Sequence, residues 1–355
     1  MTVQGVVETI GGVVRVDVTP SAYGGRVQDL TVAVRDAVLA RRPVDARERA
    51  SITEFVRRFD LLEHPFSEQA DKVHVTASAI LVTDDHRRVL LHLHKRLQKW
   101  LQPGGHIDEG ELPWQAALRE AGEETGLPVH MPAGEHALLH VDTHSGGRKH
   151  IHLDLRYLVE SPNVPPTPPN DESQDVHWFH WHQAIAAADP GLEGVLRALQ
   201  PGTPTIRQAR HTDAKDAASV YLRSREFGLP EVPLVHPPSE VRQWMADGVV
   251  GHTDMWVADN DGVVTGMMVL SHQRDGSWIE HLYLDPSWVG RGLGDRFLEL
   301  ARQRCPEGMQ LWAFQSNGPA RRFYERHGFV VEELTDGRGN EERSPDVRLR
   351  WTPTP

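Results

Sequence analysis

The stretch GHIDEGELPWQAALREAGEETGL, Gly105 to Leu127, sets one cation and three carboxylates in little more than one helical turn: Arg119, Glu120, Glu123 and Glu124. On a helix, residues three and four apart lie on one side, so Glu120, Glu123 and Glu124 share a face. Three carboxylates there repel one another in the absence of a cation. With a hard divalent ion, the same geometry is an oxygen-ligand site. The apolar Trp114, Ala117, Leu118 and Ala121 form a second stripe, roughly 120° away at about 100° per residue. The spacing predicts a helix packed on one side and binding metal on another.

Outward from this helix, the neighbouring segments read as strands. Val73 to Val82 (VHVTASAILV) and Val89 to His94 flank a turn at Asp84-Asp85-His86, and WLQPGGHID leads into the acidic helix. His150 to Val159 alternates polar and apolar residues, as a half-buried strand does. A proline-rich surface loop at 161–173 precedes a short strand, Val176 to Trp181, and a helix from Gln183 to Leu199 broken near Asp189-Pro190-Gly191. Upstream, Ser51 and Glu54 have capping-box spacing, and Ile52, Phe55, Val56 and Phe59 continue as a helix to about Leu62. Gly12 to Val18 is strand-like and Val27 to Leu39 helix-like, but residues 1–44 carry no functional signal.

Pro201-Gly-Thr-Pro204 is the best domain boundary, and the pattern changes after it. Ile206 to Arg210 reads as a strand and Asp213 to Ser224 as a helix. Met255 to Ala258 and Val263 to Leu270 form a hairpin about Asn260-Asp261-Gly262. A turn at Asp275-Gly276 opens a third strand, Trp278 to Leu284, which runs into the glycine-rich Val289-Gly290-Arg291-Gly292-Leu293-Gly294. No internal repeat is visible.

Composition narrows the classes. At 355 residues the chain suits two domains, on a norm of ~100–200 residues each. The net charge of −12 argues against nucleic-acid binding, which needs a basic footprint. The single cysteine, Cys305, leaves neither an intramolecular disulfide nor a thiolate-rich zinc site. No apolar run approaches the ~18–20 residues of a membrane span. The N-terminal residues lack a basic leader and an unbroken apolar core, so the expected setting is the cytoplasm.

The opening stretch resembles the Nudix hydrolases, whose box is G-x5-E-x7-R-E-U-x-E-E-x-G-U with U a bulky aliphatic. Gly105, Glu111, Arg119, Glu120, Glu123, Glu124, Gly126 and Leu127 fall on its positions, and Ala121 departs from it by being small. The resemblance implies an α/β/α sandwich with a mixed sheet over 45–200. It also implies hydrolysis of a nucleoside diphosphate linked to another group. Glu120, Glu123 and Glu124, with the backbone carbonyl of Gly104, would hold Mg²⁺ or Mn²⁺. Arg119 would orient a glutamate, Glu111 would brace the loop against the helix, and a box glutamate would take the proton from water. Leu138 to Ser145 lacks the downstream proline of some ADP-ribose hydrolases and the tyrosine of dinucleoside polyphosphate enzymes. The cysteine required by isopentenyl-diphosphate isomerases and the NADH-type tail motif are absent too, so specificity stays unassigned.

Histidines crowd this half: His92, His94, His106, His144, His150 and His152. They read either as phosphate contacts or a second metal position, or as polar residues on the open face of a sheet. Arg148 and Lys149, in the turn SGGRK, are further candidates for phosphate contact.

In the second half, the glycine-rich turn opens an apolar-periodic helix with Phe297, Leu300 and Ala301, a device that brings backbone N–H groups to phosphate oxygens. Downstream, QSNGPARRFYERHGFVV places Asn317, Ala320, Phe323, Tyr324, Gly328 and Phe329 in an order that resembles the GNAT acetyltransferases. The late strand Val347 to Trp351 fits that fold. The resemblance implies a central, mostly antiparallel sheet flanked by helices over 206–355, after a linker at 201–205. Residues Val289 to Gly294 would cradle the pyrophosphate of acetyl-CoA, and Asn317 would contact the cofactor. Tyr324 would protonate the departing thiolate, and Glu280 would act as general base toward an amine acceptor. Val289 stands where the family usually has Gln or Arg. The chain thus reads as a bifunctional enzyme of α/β and α+β domains. The alternative is a Nudix pyrophosphohydrolase whose GNAT-like half is a non-catalytic CoA- or ligand-binding regulatory module. Neither nucleic acid nor membrane is an expected partner; the acceptor and the oligomeric state are not legible.

Overall fold

The computed structural model describes residues 27–132, 136–146, 149–169, 173–274 and 276–353, with short segments at 9–10, 13–14 and 16–17. The chain divides into two compact units, Met1–Pro201 and Gly202–Pro355. Each is an α/β unit built on a mixed sheet.

In the first unit, β1 (Thr9–Ile10) pairs with β2 (Val13–Val14), and β3 (Val16–Asp17) lies at the edge of the main sheet. Then follow α1 (Val27–Ala40), α2 (Ala46–Phe59), β4 (Val73–Thr83), β5 (Arg88–His94), β6 (Lys99–Leu101), β7 (Gly104–His106) and α3 (Pro113–Thr125). The unit closes with β8 (Ala137–Ser145), β9 (Ile151–Ser161), β10 (Ser173–His180), α4 (Trp181–Ala187) and α5 (Pro190–Leu199). The sheet order is β10-β5-β4-β9-β8-β3, with β6 added to β5 and β7 to β4. β4 and β9 run parallel from Val73↔Ile151 to Thr83↔Ser161. From His74 onward β4 is buried on both faces, with Val75, Ala77 and Ala79 on one side and the polar His74, Thr76 and Ser78 on the other.

One face of this sheet is apolar. Val75, Ala77 and Ala79 of β4 and Leu153, Leu155 and Tyr157 of β9 join Phe55 and Phe59 of α2 and Ala116, Ala117 and Ala121 of α3 in one core. Ala121, the small residue at a box position that usually takes a bulky aliphatic, is fully buried there among other alanines. Val34, Ala37 and Val38 of α1 enter the same core, so residues 27–40 pack as part of this unit although their sequence carries no functional signal.

Two local expectations need correction. Ser51 does not cap a helix: α2 begins at Ala46, because Asp45 accepts from the N–H of Glu48 at 2.8 Å, and it ends at Phe59 instead of Leu62. Ser51 is buried and bonds Asp142. His150 lies just before β9 instead of within it.

The second unit contains β11 (Thr205–Gln208), α6 (Ala214–Gly228), α7 (Pro238–Trp244), β12 (Asp254–Asn260), β13 (Val263–Gln273) and β14 (Gly276–Leu284). It continues with α8 (Leu293–Arg304), β15 (Met309–Phe314), α9 (Gly318–Arg326), β16 (Val330–Leu334) and β17 (Asp346–Trp351). Strand order is β11-β12-β13-β14-β15-β17-β16, antiparallel except between β14 and β15. Alternate residues of β13 feed two cores. Met267 and Val269 pack with α6, and Met268 and Leu270 with Phe297, Leu298 and Ala301 of α8. At the β12–β13 turn, Asp261 and Gly262 both have positive φ, as a two-residue hairpin loop requires. Asp275 lies outside the described residues. Among those described, no helix is long and apolar enough to cross a membrane.

Candidate functional site

The first unit's acidic site is assembled by α3 and β7. Pro113 starts α3, and the N–H of Leu112 donates to Gln115 at 2.9 Å; Gly126 ends it with φ 67°. β7 lies against β4 so closely that a Cβ on Gly104 would meet Cβ of Ser78, and one on Gly105 would meet the carboxylate of Glu120. Bare backbone at these two positions is what lets β7 pass between β4 and α3.

Arg119 is the hub. Its guanidinium donates to both oxygens of Glu111 at 3.0 and 2.9 Å, to Glu120 at 2.8 Å and to Glu123 at 3.2 Å. A further bond goes to the carbonyl of His106 at 3.0 Å, which ties helix to strand. The hydrogen bond to Glu111 heads the interactions that hold the guanidinium well above its ordinary pKa. Burial works to raise Glu111, but Arg119 and the N–H of Asp108 together outweigh it and the carboxyl is held low. The repulsion expected among the carboxylates is thus relieved inside the protein by one cation. Glu124 points elsewhere: it accepts from the N–H of Gly104 at 3.2 Å and lies 3.8 Å from His92. Burial, then His94, pushes His92 down to about 4, so it is neutral at physiological pH.

The histidines differ in exposure: His92 is 5% exposed, His94, His144, His150 and His152 are half-buried and His106 is exposed, while Nδ1 of His94 accepts from the N–H groups of Arg96 and Leu97 at a turn. Lys149 is exposed, and Arg148 lies outside the described residues. Beside them runs a buried ionic network that the sequence does not announce. Asp154 accepts from Thr76, Ser78 and Arg156, while Asp142 accepts from Arg156, Arg47 and Ser51.

In the second unit, β14 and β15 are parallel neighbours paired at Trp278↔Gln310 alone among the described residues. Past that point no further residue pair joins the two strands among the described residues. Glu280 is the extra residue of a bulge in β14, where Val269 faces His281 and Leu270 faces Ile279. Its carboxylate accepts from Ser271 at 2.5 Å and from Gln273 at 2.9 Å. After β14, Asp285 accepts from Ser287 and from Arg223 of α6 at 2.6 Å, which fixes the approach to the glycine turn. Val289 is exposed, Gly290 and Gly292 have φ of 82° and 76°, and α8 begins at Leu293 with no side-chain cap. Its first N–H groups are therefore open to an external acceptor. A Cβ on Gly294 would lie 3.0 Å from the ring of Phe323, so glycine lets α8 and α9 approach. Arg291 lies against Trp288, 4.8 Å from the ring centre. Tyr324 is buried beside Phe323 and Phe329, and burial pushes its hydroxyl up, so it keeps its proton at neutral pH. Oδ1 of Asn317 caps α9 by accepting from Ala320 at 3.2 Å, a local task that the sequence reading did not assign it.

The NUDIX domain family matches residues 72–199. The asymmetrical bis(5'-nucleosyl)-tetraphosphatase of Caenorhabditis elegans is 32% identical over 101 residues, 27% of this chain and 70% of that protein. The chain belongs to the Nudix family. A solved Nudix-family hydrolase from Clostridium perfringens is 32% identical, covering 36% of this chain and 93% of that one, with a TM-score of 0.30. The acetyltransferase (GNAT) domain family matches residues 251–331. Peptidyl-lysine N-acetyltransferase YiaC of Escherichia coli is 25% identical over 132 residues, 36% of this chain and 83% of that protein. The Nudix hydrolase domain is thus followed by a GNAT acetyltransferase domain.

The structure brings Glu111, Arg119, Glu120 and Glu123 of the Nudix box into one bonded cluster, with Gly104 and Glu124 adjoining through a second contact. In the GNAT domain, an aromatic wall escaped sequence reasoning. Tyr221 of α6 lies 4.7 Å from Tyr283 and 5.9 Å from Trp244, and Trp244 lies 5.2 Å from His281, between ring centres. The i, i+2 spacing of His281 and Tyr283 on one strand was the available signal.

Proposed function

We propose that the Nudix domain hydrolyses a nucleoside diphosphate-linked small molecule with Mg²⁺ or Mn²⁺, and that the GNAT domain transfers acetyl from acetyl-CoA to a small-molecule amine. We place the first domain at 45–200, joined by α1, which packs into its core, the linker at 201–205 and the second domain at 206–355, in a cytoplasmic protein.

For the hydrolase, the observation that carries the reading is the carboxylate cluster gathered on Arg119 beside the bare backbone of Gly104 and Gly105. These are hard oxygen donors, as Mg²⁺ and Mn²⁺ prefer, and Gly104, Glu120, Glu123 and Glu124 would hold the ion. Bound there, such an ion supplies charge neutralisation of the phosphates and a lowered pKa for water. Arg119 orients Glu120 and Glu123, and Glu111 fixes Arg119. A box glutamate takes the proton from the attacking water. Glu123→Gln and Glu124→Gln should abolish Mg²⁺- or Mn²⁺-dependent cleavage across a panel of nucleoside diphosphate compounds; full activity in both would refute the assignment. The tetraphosphatase relative makes dinucleoside polyphosphates the first compounds to try, although the tyrosine expected of such enzymes is missing from 138–145.

For the transferase, the carrying observation is the single pairing of β14 with β15 among the described residues, together with the uncapped start of α8. The backbone from Val289 through Gly294 would cradle the pyrophosphate of acetyl-CoA, which brings the acetyl group as a thioester, with the N–H groups after Val289 as donors, since that of Val289 bonds the carbonyl of Pro286. Protonated Tyr324 would supply the proton to the departing thiolate. Glu280 would accept the proton of the amine, and the wall of Tyr221, Trp244, His281 and Tyr283 suits a cationic acceptor through its ring faces. Tyr324→Phe should lower acetyl transfer roughly 10²-fold or more while leaving acetyl-CoA binding in place. Acetyl-CoA binding by calorimetry with no transfer to any amine would leave the domain a ligand-binding module, and no binding would sink the transferase reading.

A further inference from the structure

We propose that His74, His106 and His152 form a transition-metal site of the zinc class, separate from the carboxylate site of the box. Among the described residues, these three form the one group of histidine, cysteine and acidic side chains whose ligand atoms converge, all lying within 4.8 Å of one another. Three imidazoles suit zinc or cobalt, whereas Mg²⁺ and Mn²⁺ prefer carboxylate oxygen.

The sheet builds this cluster by register. His74 of β4 faces His152 of β9, which in turn faces His144 of β8. His106 of β7 faces Thr76, two residues along β4 from His74 and therefore on the same side. Four adjacent strands thus turn histidines to one place. Ring centres of His106, His150 and His152 lie 5.1–5.2 Å (His106 and His150) and 5.2 Å (His152) from that of His74. His144 is 5.4 Å from His152. Gly146 makes room, since a Cβ there would run into the ring of His152.

His74 shows the state that a ligand needs. It is 1% exposed, and its Nδ1 lies 3.2 Å from the carbonyl of Asp71. A carbonyl only accepts, so Nδ1 carries the proton and Nε2 keeps its lone pair. That Nε2 is buried and has no hydrogen-bond partner in the protein. A buried acceptor without a partner is costly, and a metal ion satisfies it. The Nδ1–carbonyl bond is the orienting contact that metal-bound imidazoles commonly keep. Glu68, 3.2 Å from Nε2 of His106, supplies a carboxylate for the same purpose there. Tetrahedral zinc at about 2.0–2.1 Å from each nitrogen needs ligands about 3.3 Å apart, so small ring rotations close the set. Water, or the imidazole of His144 or His150, stands available for the fourth position. The ion would join β7, β4 and β9.

The test is a Co²⁺ titration of the full chain in excess Mg²⁺, which keeps the box carboxylates occupied. The expected result is an intense visible band of four-coordinate Co²⁺ saturating at one equivalent and lost on adding Zn²⁺. His74→Ala with His152→Ala should lose the band. Should that pair fail to fold, His106→Ala removes one ligand at an exposed position and should weaken binding at least roughly tenfold with an unchanged circular dichroism spectrum. Zn²⁺ should also raise the melting temperature of the wild type, by less that of His106→Ala, and not that of the His74→Ala/His152→Ala variant. Absence of the band in the wild type, its persistence in a folded His74→Ala/His152→Ala double variant, or unchanged Co²⁺ affinity in His106→Ala would overturn the proposal. Glu123→Gln with Glu124→Gln should retain the band; its loss there would assign the metal to the box instead.

Discussion

Arg119 bonds three carboxylates at once, those of Glu111, Glu120 and Glu123. Arg119→Ala should therefore lower the melting temperature of the metal-free Nudix domain, and added Mn²⁺ should restore part of the loss by replacing the missing positive charge. A shift that is the same with and without Mn²⁺ would count against this role. His281 gives a second residue-scale expectation. Burial holds its pKa at about 4 against an ordinary 6.5. Between these values the unfolded chain binds the proton and the folded one does not, so stability falls as pH drops from 6.5 toward 4. His281→Gln should flatten that slope in denaturant melts; parallel profiles would refute it. The sequence made Arg119 legible because a helix fixes which neighbours a side chain meets. It left His74 and Asp142 obscure, since their partners lie on other strands and register is written nowhere locally.

At the scale of elements, glycine decides how closely β7 and α3 approach the sheet. Gly104→Ala should cost about 1–3 kcal/mol in denaturant unfolding, because the new methyl meets Ser78 and β7 must lift from β4. Gly228→Ala, at a helix end with open space about its Cβ, is the matched control and should be close to neutral. The long periodic elements were readable: β4, β5, β9, α3, the β12–β13 hairpin and β14 all appear near their expected bounds. Short β6 and β7 were not, as three residues carry no period. The start of α2 was misplaced for a physical reason. Ser51 fits a capping pattern, but Asp45, six residues earlier, accepts from the N–H of Glu48 and starts the helix there. The box's residues were legible as a set, while the carboxylates' division between Arg119 and Gly104 depends on β7 and was not.

For the whole molecule, the division at Pro201 and Gly202 predicts that residues 1–201 and 202–355, expressed apart, each fold with a cooperative melt. The first fragment should keep Mn²⁺-dependent hydrolysis and the second acetyl-CoA binding; loss of either function in a folded fragment would reveal dependence on the other. The long parallel ladder of β4 and β9 has its own consequence during synthesis. Val73 must wait for Ile151, roughly 80 residues and about 4–16 s later at ordinary ribosomal rates. The whole Nudix box is translated inside that interval, so its carboxylates exist before the sheet that will hold them, while the apolar face of β4 waits without its partner. A pause placed by codon choice just before β9 should lengthen that exposure and increase chaperone capture or aggregation of the nascent chain.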